Sequence, residues 1–515
     1  MIERRLIMEK IKLNKKEYID KVKGCWIGKN IGGTLGAPFE GEKFTHSLKF
    51  YDKEATKRWL KNVKSAWERS GFKFDIDVEN FNFNQPLPND DLDFQLVWLK
   101  MLEEKGVNPT LNDFIEFWKR YLYRHWYSEY SWCLYNLKRG LKPPISGYFQ
   151  NYFIDEMGSP IRSEIWACVA PGDPQLAAYL AWLDSCLDHT GGEGTYGEMF
   201  LASIESAAFV VDDPITLINI GLSMIPTTSN IARSVREAVR CYKEKIEWDE
   251  ARERIATIFG HHNACNAIPN VGFIILGFLY GDDFGDKLCK AVNCGYDTDC
   301  TGATVGSLLG ILNGFSKIPE EWKKPVGDLI IPLPLTVTDG LPLTITELTE
   351  RTVKVAEKMI EKNSKTVEFA ENSYTPEGFL SLLFENEKIR NLLNFDIHSS
   401  VENIGDLQVV FHYCGEPIIY SGIEKTFKIS FMKDWQPLIL NDIEIKINPP
   451  LEWKVVQQKF EKGIFKFKIF AEKVNVSNKL EIDLRIENKI EKLNFTIIDG
   501  DNLKIFPSST SAPKE

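Results

Sequence analysis

Four glycines, Gly24, Gly28, Gly32 and Gly36, stand at every fourth position of one short stretch. Positions four apart share a face of a helix. These glycines would therefore form one bare stripe, against which another backbone can approach closely. Membrane helices use such stripes as well, but Lys21, Lys23 and Lys29 lie in the same segment and argue against insertion. Pro38 stops the helix and leaves Glu40 in a loop just beyond it. No strand precedes the stripe and no Gly-Lys-Ser/Thr follows it, so it is not a phosphate-binding loop.

From about Lys15 to about Lys362 the apolar pattern is helical, as in Leu96, Leu99 and Leu102, or Leu176, Tyr179, Leu180 and Leu183. Proline and glycine breakers such as Pro143-Pro144 and Gly191-Gly192 separate the segments. After about Phe395 the texture changes. Leu407–Tyr413, Thr426–Phe431, Ile443–Ile447, Phe465–Phe470 and Leu480–Ile486 largely alternate apolar and polar residues, the period of half-buried strands. A chain of 515 residues is too long for one ordinary core. The expected architecture is multidomain α and β: an all-α catalytic domain over 1–362, a polar connector over 363–395, and a β-sandwich over 396–508. The tail Pro507–Glu515 is expected to fray. In the β-domain, Trp435, Pro437, Trp453 and Tyr420 are read as packing or oligomer contacts rather than a carbohydrate platform.

The net charge of -11 argues against a nucleic-acid partner, which needs clustered Lys and Arg. Met1–Glu17 is charged and shows no apolar leader core, and Val271–Tyr280 is too short to span a bilayer. Ten cysteines include no Cys-x-x-Cys pair, which suits free thiols in a reducing compartment. The expectation is a cytoplasmic protein with no membrane partner. His261, His262 and Cys265 lack a second ligand pair with zinc-finger spacing.

Three acidic segments carry chemistry. Asn89-Asp90-Asp91-Leu92-Asp93 stands directly before an apolar helix. Adjacent carboxylates repel; a helix N-terminus relieves each by only about 0.3–1 kcal/mol, and a divalent cation relieves them far more. N-capping accounts for one such Asp more easily than for three. Asp297 and Asp299, in Gly295-Tyr-Asp-Thr-Asp-Cys300, are two apart and would not share a helix face, but could converge on one ion from a turn. A capped, solvated turn is the competing reading. The helix that follows is rich in small residues and should pack at the domain centre, where carboxylates need charge partners. Hard oxygen donors without a His cluster favour Mg²⁺, Mn²⁺ or Ca²⁺ over Zn²⁺. The Gly-rich loop Asp188–Gly197 carries His189 and Glu193, either as pocket lining or as parts of a flexible connection.

Taken in order, these segments resemble the ADP-ribosylglycohydrolase family, of the dinitrogenase-reductase-activating glycohydrolase type. Gly32–Glu40 is similar to its early Gly-rich segment, Asn89-Asp90-Asp91-Leu92 to its Thr-Asp-Asp-Thr motif, and Gly295–Cys300 to its Gly-Asp-Thr-Asp-Thr motif. The likeness covers roughly residues 15–340. It implies an all-α fold holding two Mg²⁺ ions, with Asp90, Asp91, Asp297 and Asp299 as ligands, Asn89 and Cys300 at the ligand-threonine positions, and Glu40 as the catalytic glutamate. His189 and Glu193 would line the sugar pocket. Asn89 can offer a carbonyl oxygen, whereas Cys300 is a soft, poor Mg²⁺ ligand. Glu156–Arg162 does not match the family's substrate loop, so adenosine-diphosphate contacts do not carry over. The chain reads as a divergent member with an added β-domain.

The expected reaction is metal-dependent hydrolysis at an anomeric carbon of a ribosyl, ADP-ribosyl-like substrate, free or on a protein, with oligomerisation open. Another glycoside or nucleoside on the same fold is an alternative. An isoprenoid-diphosphate enzyme would need Asp at i, i+1 and i+4; here the third, Asp93, falls at i+3 from Asp90. A catalytically idle ADP-ribose or glycan binder is the rival of another class, motivated by Asn89 and Cys300 and opposed by Glu40 beside four Asp.

Overall fold

The computed structural model describes residues 9–440, 442–486 and 489–503. The tail from Pro507, the first eight residues and the end of the expected β-domain lie outside them. Helices dominate from Lys15 to Asn363, and strands dominate from Ser399 onward.

The glycine stripe does what its spacing predicts. Gly24, Gly28, Gly32 and Gly36 lie on one helix, Lys15–Gly36, and it packs antiparallel on the small-residue helix Thr298–Asn313. A Cβ on any of the four would overlap a backbone oxygen, those of Gly310, Gly306, Gly302 and Thr298 in turn. The reverse holds for Gly302, Gly306 and Gly310 against Gly32, Gly28 and Gly24. This four-residue register joins the C-terminal end of the first helix to the N-terminal end of the second. Both helices are buried through this contact. Among the described residues no helix is long and apolar enough to cross a membrane.

Two sheets face each other in the C-terminal region. Strands β1 (Ile11–Asn14) and β2 (Val367–Ala370) form a separate parallel pair that ties the start of the chain to the segment after the last long helix. One sheet of the sandwich runs β3 (Ser399–Ile404), β4 (Leu407–His412), β6 (Glu424–Lys433), β10 (Ile464–Ala471), β9 (Trp453–Glu461), with β7 (Gln436–Leu438) on β6. The other runs β5 (Ile418–Ile419), β12 (Lys489–Asp499), β11 (Ser477–Ile486), β8 (Ile443–Asn448). Pairing is antiparallel except for β12 with β5. Alternate residues point inward, and Phe411 of β4 stacks on Phe495 of β12 with centroids 4.4 Å apart.

The segment 363–395 holds more structure than its polar sequence suggests. Besides β2 it contains the helix Glu387–Leu393, and Leu383, Ile389 and Leu392 are buried in the same core as the helices. Trp435 joins them: its ring packs on Trp182 at 4.8 Å and its indole N–H donates to the Tyr179 hydroxyl at 3.1 Å. Trp435 and Trp453 are therefore packing residues, while Tyr420 is exposed.

Candidate functional site

The antiparallel glycine contact brings the two ends of the helix pair together, and the chain exploits both. Beyond Gly36, Pro38 turns the backbone and Glu40 follows. The Thr298 hydroxyl donates to the Gly36 carbonyl at 2.8 Å, the Gly41 N–H to Tyr296 O at 2.8 Å, and the Tyr296 N–H to Glu42 O at 2.7 Å. Gly295 and Tyr296 both take positive φ, 74° and 69°, so the chain makes a tight left-handed turn just before Asp297. Glu40 thereby lies against Asp297 although 257 positions separate them in sequence numbering (297 minus 40).

Asp297 occupies the N-cap position of the Thr298–Asn313 helix, yet its side chain makes no capping hydrogen bond. Its Oδ1, like that of Asp299, is buried without a hydrogen-bond partner. The capped-turn reading of this segment therefore does not describe it. The Asp90–Lys105 helix supplies the second wall. There the cap is Asn89, whose Oδ1 accepts from the Asp91 N–H at 2.7 Å. That bond turns the Asn89 amide nitrogen toward Asp299 Oδ2, at 3.4 Å. Asp93 does not join the cluster; its Oδ2 accepts from the Leu333 N–H at 2.9 Å and the Thr336 hydroxyl at 2.6 Å.

Two groups of ligand-type atoms are tight enough to share an ion, each within 4.8 Å: Glu40, Cys265 and Asp297, and Asp91, Asp299 and Cys300. Asp90 is held by the Tyr127 hydroxyl at 2.9 Å. Five carboxylates thus surround one spot. Among the described residues the only ion pair any of them makes is Asp91 with Lys29, at 3.4 Å.

The titration behaviour follows from that imbalance. The negative charge of Asp299 pushes the Glu40 carboxyl well above its ordinary range, although the residue is exposed at its edge. Burial, then Asp299, lifts Asp90 to about 6. Burial likewise raises Asp91, Asp297 and Asp299. Asp297 pushes the Cys265 thiol up, and burial does the same to Cys300, whose thiol lies 3.7 Å from Asp91 Oδ2. Burial works to lower the Lys29 pKa, but Glu164 and Asp91 overcome it and hold it above normal. A site with clustered carboxylates, unpaired buried oxygens and only one ammonium against them suits a hard divalent cation. The Cys300 sulfur and the Asn89 amide do not.

The other residues expected in the pocket go elsewhere. His189 is fully buried, with Nδ1 2.9 Å from Asp188 and Nε2 3.8 Å from Glu129. Glu193 accepts from the N–H groups of Asn230 and Ile231 at 2.7 and 2.9 Å, capping the Asn230–Lys243 helix. Neither is brought to the acidic cluster by these contacts. Conversely, sequence reasoning passed over Lys29, Glu164, Gln95, Tyr127 and Cys265 as site residues. For Lys29 a signal existed: it is the lone cation within the glycine repeat of a helix that packs closely on another.

The ADP-ribosylglycohydrolase family profile matches residues 14–362, and the chain belongs to that family. The β-sheet region lies beyond the matched span. Among solved structures, an ADP-ribosylglycohydrolase-related protein complex is similar at 16% identity and a TM-score of 0.41, over 67% of this chain and 99% of that one. No curated protein sequence matches the chain.

Proposed function

We propose that this protein is a divalent-cation-dependent glycohydrolase that cleaves an N- or O-glycosidic bond at the anomeric carbon of an ADP-ribosyl-like substrate. Family membership supports the reaction class. The observation that carries the cation dependence is the meeting of Asp297 and Asp299, with unpaired buried oxygens, with Glu40, Asp90 and Asp91 from two distant segments. Asp90, Asp91, Asp297 and Asp299 would hold Mg²⁺, with Mn²⁺ or Ca²⁺ as substitutes. When bound, the cation supplies Lewis-acid polarisation of sugar hydroxyls and of water.

The remaining work belongs to side chains. Glu40 stands at the open edge of the cluster, where a leaving group can reach it. In the metal-free protein the negative charge of Asp299 raises the Glu40 carboxyl, and its place at the edge suits proton exchange with the departing oxygen or nitrogen. Tyr127 orients Asp90, and Lys29 orients Asp91. Such proton transfer contributes about 10²–10⁴-fold in rate.

A turnover panel tests this reading: ADP-ribosyl-arginine, ADP-ribosyl-serine, nucleosides and aryl glycosides, with Mg²⁺ and with EDTA. Metal-dependent release, lost in both Asp297→Asn and Glu40→Gln, is the expected result. Full Mg²⁺-dependent activity in Asp297→Asn would sink the arrangement. Ligand binding without turnover would instead favour an ADP-ribose or glycan binder.

A further inference from the structure

The protein treats the two halves of the acidic cluster differently, and that difference bears on how many cations it takes. This inference rests on the cation-dependent reading above.

Around Asp91, donors from the protein already occupy the carboxylate. The Lys29 ammonium lies 3.4 Å from Oδ1 and the Cys300 thiol 3.7 Å from Oδ2. The Asn89 oxygen is committed to the Asp91 N–H, so the face it shows to Asp299 Oδ2 is an amide donor. Each of these groups competes with a cation for the same lone pairs, and the ammonium also repels it. Lys29 is not free to swing away. Its Nζ donates to Glu164 Oε1 at 2.7 Å and to the Ile161 carbonyl at 3.1 Å. Gln95 clamps those acceptors from the other side, donating to Glu164 Oε2 at 2.8 Å and to the same carbonyl at 3.1 Å. Both Lys29 and Glu164 are buried within the helical core.

Around Asp297 no cationic side chain arrives among the described residues, and the donors near it are the weak thiols of Cys265 and Cys300. The Asp297 side chain caps nothing, and the Oδ1 atoms of Asp297 and Asp299 are buried and unpartnered, with Glu40 close by. A cation there meets no fixed ammonium to repel it.

We propose that the cluster holds a single divalent cation, at Asp297 on the side away from Lys29. The Lys29 ammonium is a built-in positive charge that takes the place of a second cation beside Asp91. Lys29 is thus a positioning residue: it acts through Asp91 and does not touch the substrate.

The test counts metal on the full chain. The protein is stripped with EDTA, dialysed and titrated with Mn²⁺, with bound metal measured by elemental analysis and electron paramagnetic resonance. The expected result is one tight equivalent per chain, with the uncoupled hyperfine pattern of an isolated ion. Two tight equivalents with a spin-coupled spectrum would overturn the proposal and leave the cation-dependent function standing. An absence of saturable binding would overturn both. A second measurement uses Lys29→Met combined with Glu164→Gln, which removes the ammonium without leaving Glu164 unpaired and frees Asp91 for a cation. Occupancy should rise from one to two, with spin coupling. A folded double variant that still binds one ion would overturn the role given to Lys29. Should that variant fail to fold, the wild-type count decides the matter.

Discussion

The helical region buries two clusters of charge, and they are built on opposite plans. In one, Arg162 is fully enclosed: Nε donates to Asp184 at 2.9 Å, and Nη1 and Nη2 make a fork onto Asp188 at 2.8 and 2.9 Å. The Gly158 carbonyl takes a further bond, and Trp166 donates to Glu198 at 2.9 Å. The planar fork of arginine matches a carboxylate and spends nearly all its donors. In the other, five carboxylates converge and Lys29 meets only Asp91 among them. The first cluster resembles a strut between helices. The second leaves negative charge uncompensated, an arrangement that costs stability and is characteristic of a site kept for a ligand. Neither burial nor an orphaned oxygen separates scaffold from site, since Asp184 Oδ1 also lacks a partner; the difference is that each carboxylate of the first cluster pairs with Arg162, and only Asp91 of the second with Lys29.

The comparison breaks most readily at Arg162. Arg162→Met removes the only cation that contacts Asp184 and Asp188 in ion pairs other than those of His189, among the described residues. Stripping one partner from a buried pair costs about 3–5 kcal/mol. Urea denaturation of the metal-free variant should show that loss. An unchanged midpoint would mean that this cluster is not a strut.

The strut also has an acid limb. Burial would raise Asp188, but Arg162 and then His189 hold it down at about 2. A folded value below the unfolded one means that the folded state binds fewer protons, so this contribution is present above about pH 4 and fades as pH falls toward 2. It is on the order of 2 kcal/mol. Asp184 works with the opposite sign in another window: burial lifts it to about 6, so its contribution declines as pH rises from 4 through 6. Urea midpoints of wild type and Asp188→Asn between pH 5 and pH 2 should differ in slope only on the acid side. Parallel curves would show that Asp188 is not so held.

Gly32→Ala tests whether the open cluster depends on the helix contact that assembles it. The added methyl would overlap the Gly302 carbonyl, so the two backbones must part. Overpacking costs about 1–3 kcal/mol, against which the helix gains up to about 1 kcal/mol from replacing glycine. Because the overlap is with backbone, the net loss should lie near the upper end, about 2–3 kcal/mol, and turnover of the protein that stays folded should still fall steeply because Glu40 and Asp297 ride on different helix ends. Equal loss of stability and turnover would detach the site from this contact.

These contrasts show which parts of the molecule were legible in sequence. The glycine period announced close packing because only a missing Cβ permits it, and the alternating C-terminal segments announced half-buried strands. Asp297 and Asp299 stood out because two acids before a small-residue helix need a partner. What sequence could not carry is direction. Asn89 bears an oxygen and a nitrogen, and only the capping bond to Asp91 tells which faces the cluster. His189 and Glu193 sit in a Gly-rich loop that looks like a pocket rim, yet one turns inward beside Asp188 and the other caps a helix. Lys29 stands out in sequence only as the one cation within the glycine repeat; its partners show only once the helix around it is known to be buried. Glu164 and Gln95 lie 135 and 66 positions from Lys29 (164 and 95 less 29), so no local pattern links them.

The smallest effect is the one that separates the two clusters most sharply, because its sign should reverse. Asp297→Asn replaces a carboxylate that has no ion-pair partner among the described residues, and whose Oδ1 is unpaired, by a neutral amide of the same shape. In the Arg162 cluster, neutralising a paired acid removes an attraction and destabilises. At Asp297 it removes repulsion with Asp299 and Glu40, the charges that burial and each other already push toward protonation. The metal-free variant should therefore be more stable than wild type near neutral pH, by about 0.5–2 kcal/mol, while its turnover is lost. The gain should shrink when Mg²⁺ is added, because the cation stabilises only the wild-type cluster in proportion to its binding. Thermal melts of both proteins, with Mg²⁺ and with EDTA, measure the crossover. If Asp297→Asn is destabilising in EDTA, the open cluster is paired after all, and the distinction between strut and site fails at the residue where it is drawn most clearly.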